Sequence, residues 1–209
     1  MNFQTNVLGK GFNSLFVLLL LLACSVPEAA AIDSFYLLDV RWPKRPSEAK
    51  AQEAKDRTLL VSMPKAAPGF DTSALIYTRG GHEISHYRES RWVDTPARML
   101  LPLLVLHLEA TAKFKVLSAA TSPIACELRL DTEIVRLQQE FMEEPSQVRL
   151  VLRAQLLNMK KRQVVATEVF EIEKDAPHEN AKGGVSATNE AFKQVLKDLV
   201  KFVVKHRNQ

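Results

Sequence analysis

His82-Glu83-Ile84-Ser85-His86 reads H-E-x-x-H, the spacing with which two imidazoles and a carboxylate build a zinc hydrolase. That chemistry requires a helix. Only there do residues i and i+4 share a face, so that both rings reach one Zn²⁺. The local sequence predicts extended chain instead. Gly80-Gly81 precedes the segment and aromatic or β-branched residues lie on both sides of it, so His82 to Tyr87 reads as the second arm of a tight hairpin. In a strand, four residues span ~13 Å at ~3.3 Å each. Two Zn–N bonds of ~2 Å do not bridge that distance. A third ligand from His107 or Glu109 would stand at no recognisable spacing. The zinc hydrolase is thus the weakest functional reading. No catalytic residue, metal ligand or cofactor is assigned. There is no G-x-S-x-G motif and no phosphate-binding glycine loop.

A second reactive group is better placed. Met1 to Asn13 is polar with one charge, Lys10, and Leu15 to Ala23 is an apolar run of nine residues. A bilayer span needs ~20 residues, whereas a signal-peptide core is about this long. The run ends Leu21-Leu22-Ala23-Cys24. This resembles the lipobox of bacterial lipoproteins, in which the cysteine thiol receives diacylglycerol and the signal peptide is then removed. Acyl chains such as palmitate contribute ~0.8 kcal/mol per buried CH₂, so several on one residue give stable attachment. Ser25 follows, which by resemblance to Gram-negative sorting favours the outer membrane. Removing residues 1–23 takes away Lys10 and no acid, so the charge falls from +4 to +3. Cys126 is then left without an intramolecular partner and is expected to be a small buried hydrophobe.

The remaining residues suffice for one domain. With 46% hydrophobic and 25% charged residues the chain is compositionally globular. Its positive charges are dispersed rather than clustered among aromatics, so no nucleic-acid partner is expected. Residues 24–34, alanine-rich with Pro27, read as a tether. Phe35 to Val40 and Thr58 to Met63 read as strands, with a polar loop from Arg45 to Asp56 between them. Ala74 to Arg79 is a further strand. Thr95-Pro96 is a helix start, a capping hydroxyl followed by proline. The helix to about Thr111 is leucine-rich nearly all round, so it must be deeply buried or lie against something apolar, and Pro102 should kink it or, if the helix starts later, mark its first turn. Phe114 to Leu117 is a short strand. Cys126 to Ile134, Val148 to Leu156 and Val164 to Ile172 then alternate as a meander with one dry face and one wet face. Lys182-Gly183-Gly184 breaks the pattern, and a final amphipathic helix runs from about Ser186 to His206. The expected fold class is α+β: a mainly antiparallel sheet with two principal helices packed on it.

From Phe35 to about His206 the order of short motifs resembles the ABC-type transport auxiliary lipoproteins, including the PqiC-like group. The motifs are Tyr36-Leu37-Leu38 behind the tether, Ile76-Tyr77 before the glycine turn, Tyr87, and Arg91-Trp92 ahead of the leucine-rich helix. Pro102 and the histidine-containing segment at 82–86 depart from that pattern. The resemblance implies a non-enzymatic adaptor or scaffold on the periplasmic face of the outer membrane. Its partners would be an MCE-domain protein and its ABC transporter, moving lipids or other hydrophobic compounds, and it leaves homo-oligomers open. The alternative binding role is an envelope-biogenesis lipoprotein with another partner. Lys193, Lys197, Lys201 and Lys205 recur every four residues on the last helix. Such a stripe is either a solvated face or a contact for anionic headgroups or an acidic partner surface.

Overall fold

The computed structural model describes residues 33–41, 43–44, 57–80, 82–118 and 126–208. The signal peptide, Cys24, most of the tether, Trp42, Gly81 and the 45–56 loop lie outside the described residues. Among the described residues nine strands form one sheet: β1 (Ser34–Tyr36), β2 (Thr58–Val61), β3 (Lys65–Ala66), β4 (Ala74–Thr78), β5 (Ser85–Trp92), β6 (Lys115–Ser118), β7 (Leu128–Glu140), β8 (Gln147–Asn158) and β9 (Gln163–Asp175). Two helices, α1 (Pro96–Glu109) and α2 (Ala181–His206), pack on it. The α+β class is as expected.

The meander β7–β8–β9 is antiparallel, as the alternation predicts. The sheet as a whole is mixed. The other edge of β7 pairs in parallel with β2, β3 and β4 in succession, and β6 and β1 add in parallel to β2 and β5. Alternation reports which face a residue occupies but carries no strand direction, so this half of the topology was not readable from pattern alone.

The inner rows of β7 and β8 form the core floor. Leu128, Leu130, Thr132 and Ile134 of β7 and Val148, Leu150, Leu152, Ala154 and Leu156 of β8 are buried. Two bulges shift the phase. Ile134 faces Leu152 and Arg136 faces Val151, so Val135 is an extra residue, and Leu137 and Gln139 become the inward positions. On β9, Leu156 faces Ala166 and Leu157 faces Val164. This turns Val164 out to solvent, contrary to expectation, while Phe170 and Ile172 remain inside.

Helix α1 begins where predicted, with Thr95 Oγ1 accepting the Arg98 N–H. Its Leu100, Leu101, Leu103, Leu104 and Leu108 are buried. Pro102 falls on the exposed side and the helix continues through it to Glu109. Helix α2 starts five residues earlier than expected. The Asn180 side chain caps it, accepting the Gly183 N–H at 2.9 Å. The glycine pair is not a breaker but a close approach. A Cβ on Gly183 would lie 1.9 Å from the His178 carbonyl oxygen, and one on Gly184 would lie 2.2 Å from Gln139 Oε1. From there Ala191, Phe192, Val195, Leu196, Leu199, Phe202 and Val203 are buried against the sheet.

The backbone oxygen facing Gly183 cannot move as a flexible side chain could. Gly183→Ala is therefore expected to destabilise the fold by about 2–3 kcal/mol, lowering the melting temperature by roughly 5–10 °C for a domain of this size. Ser186→Ala, on the exposed side of the same turn, should change it by less than about 2 °C. Thermal circular dichroism of the two variants measures the difference.

Candidate functional site

Strand β1 lies at one edge of the sheet, parallel to β5, with Phe35 opposite Arg91 and Tyr36 opposite Trp92. Alternation then separates its side chains. Tyr36 packs against the core and Leu38 and Val40 are buried, while Phe35 and Leu37 are 60% and 59% exposed. Beyond β1 the chain loses its ladder, so the expected strand to Val40 is only three residues long. Its inward side chains stay in place, helped by the Asp39 N–H, which donates to Asn189 Oδ1 of α2 at 2.8 Å. Trp92 is a core residue at 3% exposure. Arg91 stays at the surface, its Nη2 3.1 Å from Asp33 Oδ2 and its guanidinium 6.0 Å from the Phe35 ring centroid. Thus Tyr36, Leu37, Leu38, Arg91 and Trp92 meet at one edge.

Tyr77 stands apart, opposite Ser85 at the far end of β5. Its ring is 4.8 Å from that of Tyr87 and edge-on to Phe141 at 5.8 Å, with the Arg79 guanidinium 5.1 Å from the Phe141 ring. Tyr87 leads into a polar chain that the sequence reading missed. Its hydroxyl donates to Gln139 Oε1 at 2.9 Å, Gln139 Nε2 donates to Ser146 Oγ at 2.8 Å, and the Ser146 N–H donates to Glu179 Oε1 at 2.8 Å. Gln139 is buried only because the β7 bulge turns it inward. The step from Ile134 to Leu137, three residues rather than two, was the available signal. Desolvation pushes the Tyr87 phenol up to about 12, reinforced by Tyr77 and Glu179 and opposed by Arg79. A cavity of about 20 Å³ beside this chain, lined by Tyr87, Trp92, Gln139 and Thr188 among others, has room for about one water.

His82 and His86 do not share a helix face. Tyr77 pairs with Ser85, so the hairpin loop is wider than the expected tight turn. Thr78 Oγ1 holds it open, donating to the Glu83 carbonyl and accepting the Gly80 N–H. His82 sits in this loop and His86 in β5, and no group of three metal-capable side chains occurs among the described residues. The groove beside the loop is open and charged, with Arg136, Glu140 and Arg149 on its wall. Arg149 is tied to Glu140 at 3.1 Å, to Glu171 and to Glu173, and these hydrogen bonds raise its pKa further. That cation is committed within the wet face of the meander.

Lys193, Lys197, Lys201 and Lys205 all lie on the exposed side of α2. Lys193 pairs with Glu190 and Lys201 with Asp198 one turn back. Cys126 is a free, half-buried thiol just ahead of β7.

The family model for ABC-type transport auxiliary lipoprotein components matches residues 36–200. The chain belongs to this family. By its description the family consists of lipoprotein components auxiliary to ABC-type transport, which makes the chain a membrane-associated envelope protein. The auxiliary lipoprotein shares its fold with protein XCC0632 from Xanthomonas campestris (TM-score 0.72, 21% identity, covering 84% of this chain and 97% of that one). It is also similar to an uncharacterized protein (TM-score 0.64, 13% identity, 82% and 99% covered). A third likeness is to the hypothetical protein CT253 from Chlamydia trachomatis (TM-score 0.51, 8% identity, 72% and 97% covered). No curated protein matches the chain.

The half-buried Tyr87 phenol of the auxiliary lipoprotein gives a pH signature. Because folding raises the Tyr87 pKa from 10.0 to about 12, its neutral form is the one the fold holds. The associated stability is intact below pH 10 and is lost as pH rises towards 12. In Tyr87→Phe, urea denaturation across this range should show a shallower alkaline loss, and the absorbance titration should lack a step near pH 12.

Proposed function

We propose that the protein is a non-enzymatic adaptor, held at the periplasmic face of the outer membrane by acyl chains on Cys24, in an MCE/ABC-type system for lipids or other hydrophobic compounds. The observation that carries this reading is the family match over residues 36–200 behind an apolar run that ends at Cys24. Residues 1–23 would be the signal peptide and 24–34 the tether. No helix among the described residues is long and apolar enough to cross a membrane, so attachment in this reading rests on the lipid. The cavities support a contact role over a carrying one. A lipid-sized site is a largely apolar pocket of ~300 Å³ or more. The cavity beside Tyr87 is about 20 Å³, and the larger groove beside Ser62, Lys65, Arg129, Asp131 and Arg153 is lined by charged side chains.

The exposed lysine row of α2 is the proposed docking face for an acidic partner surface. Cross-linking of intact envelopes with an amine-reactive reagent should join Lys193, Lys197, Lys201 or Lys205 to the MCE-domain protein or the transporter, and copy-to-copy links would report self-association. Lys197→Glu with Lys201→Glu should leave the melting temperature within about 2 °C and reduce partner recovery roughly tenfold or more, at ~1 kcal/mol per charge. Unchanged recovery assigns the row to solubility alone. Cys24→Ala should shift the chain from the membrane to the soluble periplasmic fraction, and a membrane-bound Cys24→Ala protein refutes the anchor.

A further inference from the structure

We infer that the exposed edge made by Phe35, Leu37 and Val93 rests on the lipid bilayer that holds the anchor, so that the domain has one membrane-facing side. The inference deepens the proposed function and rests on acylation of Cys24. Three large apolar side chains lie together at the surface. Phe35 and Leu37 are 60% and 59% exposed and Val93 is 48% exposed. Their proximity follows from register. Tyr36 pairs with Trp92 across the β1–β5 ladder, and the Val93 N–H donates to the Tyr36 carbonyl at 2.9 Å. The surrounding core does not claim them, because the alternation that buries Leu38 and Val40 turns Phe35 and Leu37 outward.

The occupant is argued from the chain length behind the patch. Ten steps separate Cys24 from Ser34. Fully extended they reach at most ~35 Å, and as flexible coil about 17 Å. An anchored domain is therefore held with this edge nearer the membrane than any edge further along the chain is required to be. Holding it there makes insertion intramolecular, so a small patch suffices where a free protein would need a large one. The rim carries long cationic side chains. Arg91 stacks over Phe35, and Arg41 and Lys44 follow on the same exposed stretch. Of the four acids nearby, Asp33 is paired with Arg91 and Asp94 with Arg98, while Asp39 and Glu89 are exposed. Such a group, apolar tips with long cationic stems beside them, matches the depth of the headgroup–acyl boundary.

The test uses the full-length protein purified from membranes and reconstituted in phosphatidylethanolamine/phosphatidylglycerol vesicles that contain a phospholipid with a photoactivatable diazirine on its acyl chain. After illumination, lipid adducts are mapped by mass spectrometry, which also reads the mass on Cys24. Adducts on the peptides carrying Phe35, Leu37 and Val93 should exceed those on the β9 peptide, whose Val164 and Val169 are 54% and 57% exposed, by roughly fivefold, since only the former lie at the boundary. Phe35→Ser with Leu37→Ser, both at exposed positions, should cut labelling at Val93 by about half or more through loss of apolar insertion. Acylated Cys24 with equal labelling of the two regions overturns this inference and leaves the anchor standing. Cys24 without lipid overturns both.

Discussion

Strand β7 hydrogen-bonds to β8 along its length on one edge and to β2, β3 and β4 in succession on the other. Every layer depends on that double pairing. Its inner row belongs to the one core that α2 closes over β8 and β9 and α1 closes over β2, β3 and β6. Burial of this kind is non-directional, and direction comes from the bulge at Val135. One extra residue re-aims the rest of the strand and places Gln139 beneath the start of α2. The polar chain from Tyr87 through Gln139 and Ser146 to Glu179 then ties β5, β7 and the segment before α2 together. Gly184 exists where it does because a side chain would collide with that glutamine.

The same pairing decides what is left outside. The strands on the far edge of β7 are short, and the last of them, β1, is the first element of the described fold. The beginning of the domain is therefore an edge, with its inward side chains in the core and its outward ones unclaimed. The fold thus presents an apolar edge at β1 and a basic row on α2 that begins one turn beyond Asn189, the residue that receives the Asp39 N–H. A tethered adaptor needs two such faces, one for its membrane and one for its partner.

Periodicity revealed most of the elements. The meander, α1 with its Thr95 cap, and the exposure of the four lysines follow from residue spacing. What was hidden has physical causes. Strand direction leaves no mark on alternation, so the parallel pairings were not visible. Bulges exchange one residue for a phase shift, which sent Val164 outward and Gln139 inward. Gly183 and Gly184 look like a break because glycine lowers helix propensity, yet here they admit a carbonyl and an amide that only the tertiary structure supplies. H-E-x-x-H has the opposite lesson. The pattern is present, but Thr78 holds its first half in a loop and its second half in a strand. Of the motif residues, Tyr36, Leu38 and Trp92 proved to be packing, and only geometry could distinguish them from Leu37 and Arg91 at the surface.

The central claim, a lipid-anchored adaptor in a transport assembly, is tested most directly by purifying the full-length protein from its own membranes in mild detergent and identifying by mass spectrometry what co-elutes. Recovery of an MCE-domain protein or its ABC transporter, with an acylated Cys24, is the predicted result. A chain that elutes alone, with an unmodified thiol at Cys24, would contradict the account.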